Sequence, residues 1–564
     1  MRLQPIYDIA EVCARWGVRD VVISPGSRSA PLTLAFVRHG GFQTRIFPDE
    51  RSAAYIALGM ARHTRQPVVL ICTSGTAALN FSPAISEAFF QQVPLLVLTA
   101  DRPAEWTAQQ DGQTIYQESV YGRHVKKSFS LPADYEHADA RWMINRSINE
   151  AIALTTELPA GPAHVNVPLR EPLYPAKNET AHPRAAVKVQ KHWPPSYQLD
   201  DTQIAALRDE ISRYERVLIV AGQQSLNGRL RQSLGTFISE SNAVLVGDIL
   251  SNLHGLNDNI RLADNFLALA TDADKKQLQP DLLITFGQSI ISKQVKLFLR
   301  KYPARDHWHI QEAGSVADPY QSVSTVVRCS PEFFFQKLRA SSRSDFREMW
   351  RARETKTRAG IASFMARGTR HELGVVHDTL ASLSAGTHLH LANSMVVRYA
   401  NYLGLSNLQA DVEVFSNRGT SGIDGCTSSA MGHALTSDNT QVLLTGDMAF
   451  LYDRNAFWHN YAYPGLKTIV LNNHGGIIFN MIDGPGEVAE AQEYFVTRQP
   501  KKARAVAEEY GHAYQHATEV NYEKTMIHQL LQPTAKPAVL EFESSQEWNI
   551  ASFQEFKKEI QLKL

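Results

Sequence analysis

Nine short runs of apolar, largely β-branched residues recur along the chain, and each gives way to Gly, Ser, Asn or Asp. They are VVISPGS (21–27), VVLICTSGT (68–76), LLVLTADRP (95–103), VLIVAGQQS (217–225), AVLVGDILS (243–251), LLITFGQS (282–289), VEVFSNRG (412–419), VLLTGD (442–447) and TIVLNNHGG (468–476). Strands apolar on successive residues are buried on both faces, which a sheet achieves when its strands are parallel and helices cover both sides. The stretches between the runs have helical spacing, so the fold class is α/β, built from doubly wound parallel sheets. In such sheets ligands gather beyond the carboxyl ends of the strands, where turn residues and helix N-termini meet. The polar residues that end each run are therefore the candidates for function.

A chain of 564 residues exceeds what one hydrophobic core supports. Two stretches break the strand rhythm: 176–200, rich in proline and mixed charge, and 341–369, charged and helical. They divide the chain into three α/β domains at 1–175, 201–340 and 370–564. The 57 basic and 57 acidic residues cancel, which argues against nucleic acid or an anionic membrane as partner and leaves any charge effect local. Four scattered cysteines without a C-x-x-C pair suggest neither a disulfide framework nor structural zinc. The N-terminus reads as an amphipathic helix, and no apolar run approaches the ~18 residues of a membrane span. The expectation is a soluble, cytoplasmic protein.

In VLLTGDMAF a carboxylate, Asp447, stands at the end of a buried strand; 26 positions later Asn473 ends the next one, in NNHGG. A carboxylate, an amide oxygen and a backbone carbonyl at Gly475 make a hard-oxygen set suited to Mg²⁺ or Ca²⁺, with positions left for phosphate oxygens. The plainer alternative is that Asp447 caps the following helix and the Asn pair forms an Asx-turn. Gly-Asp followed at this distance by Asn-Asn resembles the diphosphate–magnesium signature of thiamine-diphosphate enzymes, with Met448 where glycine is usual. Such an enzyme needs a second, buried carboxylate to activate the cofactor's aminopyrimidine. Glu50 in FPDERSAAYIALGMAR, at the head of an Ala-rich helix, is the candidate; the plainer alternative is a first-turn glutamate favoured by the helix dipole.

Across nearly the whole length, SPGSRSAPLTLA, DERSAAYIALGMAR, TSGTAALN, LTADRP, ANSMVVR, SNRGTSGIDG, GDMAFLYDRNA and NNHGGIIF resemble the motifs of one family. It comprises the 2-succinyl-5-enolpyruvyl-6-hydroxy-3-cyclohexene-1-carboxylate synthases of menaquinone biosynthesis. The resemblance implies a pyrimidine-binding, a central and a diphosphate-binding domain, in a homodimer or dimer of dimers with active sites at the subunit interface. It implies thiamine diphosphate with Mg²⁺, or Mn²⁺, held by Asp447, Asn473 and Gly475, and Glu50 as the residue that drives the aminopyrimidine to its imino form. Ser394, Ile423, Gly446, Met448, Ile478 and Phe479 would complete the cofactor site, Ile423 as the wedge that keeps the cofactor bent; by itself Ile423 reads as a core isoleucine. The implied reaction decarboxylates 2-oxoglutarate and adds the resulting succinyl carbanion equivalent to isochorismate.

Both substrates are dicarboxylates, and arginine's planar fork suits carboxylate. Strand-end motifs supply Arg28, Arg102, Arg398 and Arg418. The resemblance adds Ser27, Gln113 near the reacting carbon, and Lys293, beside which Gln294 stands where some relatives carry a second cation. Ser27, Arg28, Gln113 and Glu50 are the catalytic candidates. Two alternatives differ in what they need: a flavin-carrying acetohydroxyacid synthase or other 2-oxoacid decarboxylase would show a dinucleotide loop in the central domain and fewer arginines, and an inactive scaffold would have no use for Glu50.

Overall fold

The computed structural model describes residues 3–175, 182–184, 187–193, 195–339, 345–482 and 484–564. Eighteen strands among them form three six-stranded sheets, all parallel. The first contains β1 (Asp20–Ile23), β2 (Gln43–Ile46), β3 (Val68–Cys72), β4 (Leu95–Asp101), β5 (Ser128–Ser130) and β6 (Ala163–Pro168), in the order β2-β1-β3-β4-β6-β5. The second contains β7 (Val217–Ala221), β8 (Val244–Gly247), β9 (Asn259–Ile260), β10 (Leu282–Phe286), β11 (Asp306–Ile310) and β12 (Thr325–Val327), in the order β12-β11-β10-β7-β8-β9. The third contains β13 (His388–Leu391), β14 (Glu413–Phe415), β15 (Gln441–Gly446), β16 (Leu466–Asn472), β17 (Ala513–Thr518) and β18 (Ala538–Glu543), in the order β14-β13-β15-β16-β18-β17.

The third sheet repeats the strand permutation of the first, and the middle sheet follows the order of a dinucleotide fold. Each sheet has a switch point, between β1 and β3, between β7 and β10, and between β13 and β15; in the first and third sheets the last connection, β5 to β6 and β17 to β18, also turns back. At a switch point the neighbouring loops leave in opposite directions, which is where doubly wound folds bind ligands. The nine runs read as strands are all strands, and their central members β3, β4, β7, β10 and β16 are buried at every position. Buried strands leave no polar group free within the sheet, so chemistry is confined to the strand ends.

The chain forms two compact units. One comprises Met1–Pro195 with Asn417–Asp438 and Leu451–Tyr463; the other comprises Ser196–Ser416, Asn439–Phe450 and Pro464–Leu564. Of the stretch 176–200, residues 176–181, 185, 186 and 194 lie outside the described ones, and the rest is irregular. The charged stretch at 341–369 carries the helix Phe346–Met365, whose Trp350, Ile361 and Phe364 are buried in the cores of the second and third sheets. Most of its charges lie away from those cores, but Glu354 is buried and accepts from the backbone N–H groups of Arg261 (3.4 Å) and Leu262 (3.0 Å).

Within the first unit, helix Glu50–Thr64 crosses helix Cys426–Ala434 at a contact that only glycine permits. A Cβ at Gly59 would stand 2.1 Å from the Ser429 carbonyl oxygen, and one at Gly432 would stand 2.2 Å from that of Ile56. The helix that begins with Glu50 is thereby seated on the segment that follows SNRGTSGIDG. Gly59→Ala is expected to cost ~1–3 kcal/mol as an overpacked contact, while Gly228→Ala, at a helical position with open space around it, should be neutral or slightly stabilising. Thermal denaturation of the two variants checks this; equal midpoints would show that the crossing yields without cost.

Candidate active site

At the switch point of the first sheet, SPGSRS follows β1 and TSGT follows β3. Gly26 lies against Thr73 so closely that a Cβ would come within 2.2 Å of the threonine Cβ. Gly75 donates its N–H to the buried Gln117 side chain (3.1 Å), and a Cβ on it would come within 3.2 Å of Gln113, whose φ is +57°. Gln113 and Ser27 are exposed here. Arg28 is buried and donates to the Leu169 carbonyl (3.0 Å) and to Glu171 (3.1 Å), so part of its fork is held by its own domain. Arg102, half-buried, closes back on the Gly112 carbonyl (2.7 Å) and Asp111 (2.8 Å), which fixes the loop bearing Gln113.

Glu50 is the first residue of its helix, yet it does not cap it. The capping carboxylate is Asp49, which accepts from the Ser52 N–H at 3.0 Å and is itself held by Asn455 at 2.6 Å. Glu50 is half-buried, and its charge, after burial, contributes to raising the thiol of Cys72 at the end of β3. In the same unit the loop 417–425 presents Arg418 and Ile423, both half-buried; Ile423 is not a core residue.

At the switch point of the third sheet, Asp447 follows β15 directly and is buried. Its carboxylate accepts from the Gln499 side chain at 2.6 Å, and burial lifts its pKa to about 6 against the opposing effect of that bond. The two asparagines at the end of β16 divide their roles. Asn472 Oδ1 accepts from the His474 N–H at 3.1 Å, the Asx-turn that the plain reading requires. Asn473 turns inward instead: its Nδ2 donates to Glu372 at 2.7 Å, and its Oδ1 accepts from Gln546 at 3.3 Å. Gly475, at φ +155°, passes so near Val496 that a Cβ would stand 2.7 Å from its carbonyl oxygen. Ser394, at φ +72°, opens helix Met395–Leu403 beyond β13. Gly446 has open space where a Cβ would be, and Ser394, Met448, Ile478 and Phe479 are all partly exposed around this end of the sheet.

Arg398, half-buried on the helix after Ser394, donates to the Ser394 carbonyl at 2.6 Å. Burial lowers its pKa, while Tyr402 and Asp264 oppose that. Asp264, from the second sheet's domain, also accepts from Ser292 Oγ (2.5 Å) and the Gln294 N–H (2.8 Å), which anchors the start of helix Lys293–Lys301. Lys293 is exposed there. The second sheet's own switch point is closed: a Cβ at Gly222 would stand 1.8 Å from the Gln288 carbonyl oxygen.

Residues 7–120 match the N-terminal binding domain of thiamine pyrophosphate enzymes, and residues 189–391 match the middle domain of that group. A 2-succinyl-5-enolpyruvyl-6-hydroxy-3-cyclohexene-1-carboxylate synthase of Cytophaga hutchinsonii is 42% identical over 562 residues, 99% of each chain. Enzymes with the same name from Desulfotalea psychrophila and Bacteroides thetaiotaomicron are 36% and 34% identical, covering 91% and 90% of this chain and 93% and 90% of theirs. The chain belongs to this synthase family.

Within this family member, four side chains that no sequence motif had marked organise the third sheet's end: Glu372, Tyr399, Gln499 and Gln546. Glu372 lies in RHELGVV, beyond any recognisable turn pattern, and reaches Asn473 across 101 residues of sequence. Burial, with the Asp447 charge adding to it, raises Glu372 to about 7, against the lowering effect of Asn473 and Tyr399. With pKa values of about 7 and about 6, Glu372 and Asp447 hold protons more tightly in the folded chain than in the unfolded one. Their contribution to stability is fully present below the ordinary carboxylate range and is lost as pH rises through those values. The thermal midpoint of ligand-free protein should therefore fall between about pH 5 and pH 8, and Glu372→Gln should flatten the fall. A variant with the unaltered slope would remove Glu372 as its source.

Proposed function

We propose that the chain is a thiamine-diphosphate-dependent transferase that decarboxylates 2-oxoglutarate and joins the succinyl unit to isochorismate by 1,4-addition. The product is 2-succinyl-5-enolpyruvyl-6-hydroxy-3-cyclohexene-1-carboxylate, for menaquinone biosynthesis. The observation that carries this reading is the buried Asp447 at the switch point of the third sheet, in a chain that matches synthases of that name end to end.

The donor set fits a hard cation. Asp447 offers a buried carboxylate with one side-chain partner, and Asn473 offers an amide whose nitrogen is committed to Glu372 and whose oxygen accepts from Gln546 and has a second lone pair. Asp447, Asn473 and the Gly475 carbonyl would hold Mg²⁺ or Mn²⁺, with phosphate oxygens completing the shell. Gly446, Met448, Ser394, Ile478 and Phe479 would line the diphosphate end, and Ile423 would press against the cofactor's middle. Thiamine diphosphate, when bound, supplies the electron sink for loss of carbon dioxide.

Glu50 would hold a proton against the aminopyrimidine ring, a task for which it is free because Asp49 already caps the helix. Arg398 and Arg418, with Lys293, would take substrate carboxylates through charge-assisted bonds. Ser27, Arg28 and Arg102 would do so beside the first sheet, with Gln113 orienting the reacting group. The closed crevice at Gly222 supports a synthase over a flavin-carrying acetohydroxyacid synthase, since a pyrophosphate needs that space. The assembly we propose is a homodimer or dimer of dimers with active sites at the subunit interface. Among the described residues no helix is long and apolar enough to cross a membrane, and a cytoplasmic location is part of the same proposal.

Purified protein mixed with 2-oxoglutarate, isochorismate, thiamine diphosphate and Mg²⁺ should consume isochorismate, and omission of any one component should stop it. Glu50→Gln should lower kcat by about 10²–10⁴-fold and slow exchange of the cofactor's C2 proton, while diphosphate and metal affinity stay near normal. Exchange at the unaltered rate would remove Glu50 from this role.

A further inference from the structure

The first unit contains a buried carboxylate that none of the site motifs includes. Glu87, on helix Ser82–Gln91, is 1% exposed. It accepts from two successive backbone N–H groups of the loop SNRGTSGIDG: Oε1 from Gly419 at 2.7 Å and Oε2 from Thr420 at 2.7 Å. Thr420 Oγ1 adds a third bond to Oε2 at 2.5 Å, and Gln91 Nε2 a fourth to Oε1. These donors engage both oxygens, so an ionised carboxylate is matched here in shape and charge. A Cβ at Gly419 would stand 2.7 Å from the Glu87 carbonyl oxygen, so the loop also lies directly on the helix.

The loop is pinned on either side of this clamp. Asn417 donates to the Gly425 carbonyl (3.2 Å) and to Ser429 (2.9 Å), which closes the loop on itself. Tyr55 donates its hydroxyl to Asp424 at 2.7 Å, and a Cβ at Gly425 would strike the Tyr55 ring at 2.2 Å. Tyr55 lies on the helix that begins with Glu50, so Glu50 and the loop share one support. Between the pins stand Arg418 and Ile423.

We infer that Glu87 is a positioning residue, which sets the direction from which Arg418 meets a substrate carboxylate by fixing the backbone on its C-terminal side. The inference rests on the substrate-binding role proposed above for Arg418. An arginine held in place binds substrate without first losing the freedom of its loop, so the clamp acts on binding and not on the chemical step. Glutamine at 87 keeps the shape but turns an N–H towards an N–H.

The test uses full-length protein loaded with thiamine diphosphate and Mg²⁺, and compares Glu87→Gln, Arg418→Ala and the double variant. Arg418→Ala should raise KM for one dicarboxylate substrate by about tenfold or more, and Glu87→Gln should raise the same KM by about tenfold with kcat changed less than about threefold. In the Arg418→Ala background Glu87→Gln should add less than about threefold, because the group it positions is gone. Multiplicative effects, or a loss confined to kcat and thermal midpoint, would overturn the inference and leave Glu87 with a structural role. An unaltered KM in Glu87→Gln beside a raised one in Arg418→Ala would overturn the clamp alone; an unaltered KM in Arg418→Ala would overturn both readings. Should Glu87→Gln not fold, Thr420→Val removes one of the four bonds, and a rise of about two- to threefold in that same KM, absent in the Arg418→Ala background, is the corresponding result.

Discussion

Parallel strands buried on both faces force every polar function of this chain to the ends of its sheets. Backbone hydrogen bonds are consumed within the ladders, and side chains along β3, β4, β10 and β16 are in contact with covering helices. What is left is the loop that follows each strand, and where the winding reverses two such loops part and leave room. SPGSRS with TSGT flanks the reversal of the first sheet, and ANSMVVR with GDMAF that of the third. The remaining one, in the middle sheet, is filled by backbone meeting backbone at Gly222 and Gln288. One architecture thus recurs three times, and at the middle reversal two strand-end backbones meet.

Carboxylates, most of them buried, recur as the means by which these loops are held. Asp49 caps one helix and is tied by Asn455; Glu87 takes two backbone N–H groups of an arginine-bearing loop; Glu372 takes the amide of Asn473; Asp264 takes Ser292 and the head of a third helix. A buried charge is tolerable only when its oxygens are paired. Pairing them with backbone donors converts that cost into a fixed loop. The residues with a proposed chemical task, Glu50 and Asp447 among them, are flanked by such acids and are relieved of structural duties that would otherwise occupy them.

Much of the architecture was legible from the apolar runs because burial on both faces leaves an uninterrupted hydrophobic signature. All nine runs are strands, and all nine border or neighbour a reversal. The strands that carried no such signature are instructive. QTRI and SFS are short edge strands with polar faces, and DHWHI buries two histidines that satisfy each other through Thr285. Hydrophobicity alone misses a buried strand whose polar groups are paired. The charged stretch 341–369 was legible as helix, but the burial of Trp350 and Phe364 was masked by the arginines and glutamates around them.

By itself the sequence determined the parallel α/β class, the strand-end motifs and the spacing from Asp447 to Asn473, since these depend on residues near one another in the chain or on a pattern that repeats. Tertiary structure alone decided that the amide nitrogen of Asn473 meets Glu372 and its oxygen Gln546, that Ile423 is not a core residue, and that Glu87 holds the loop carrying Arg418. Those outcomes rest on contacts between residues as far apart as 87 and 420 or 372 and 473. No local pattern encodes them, because a hydrogen bond depends on where two chain segments meet and not on the distance between them in sequence.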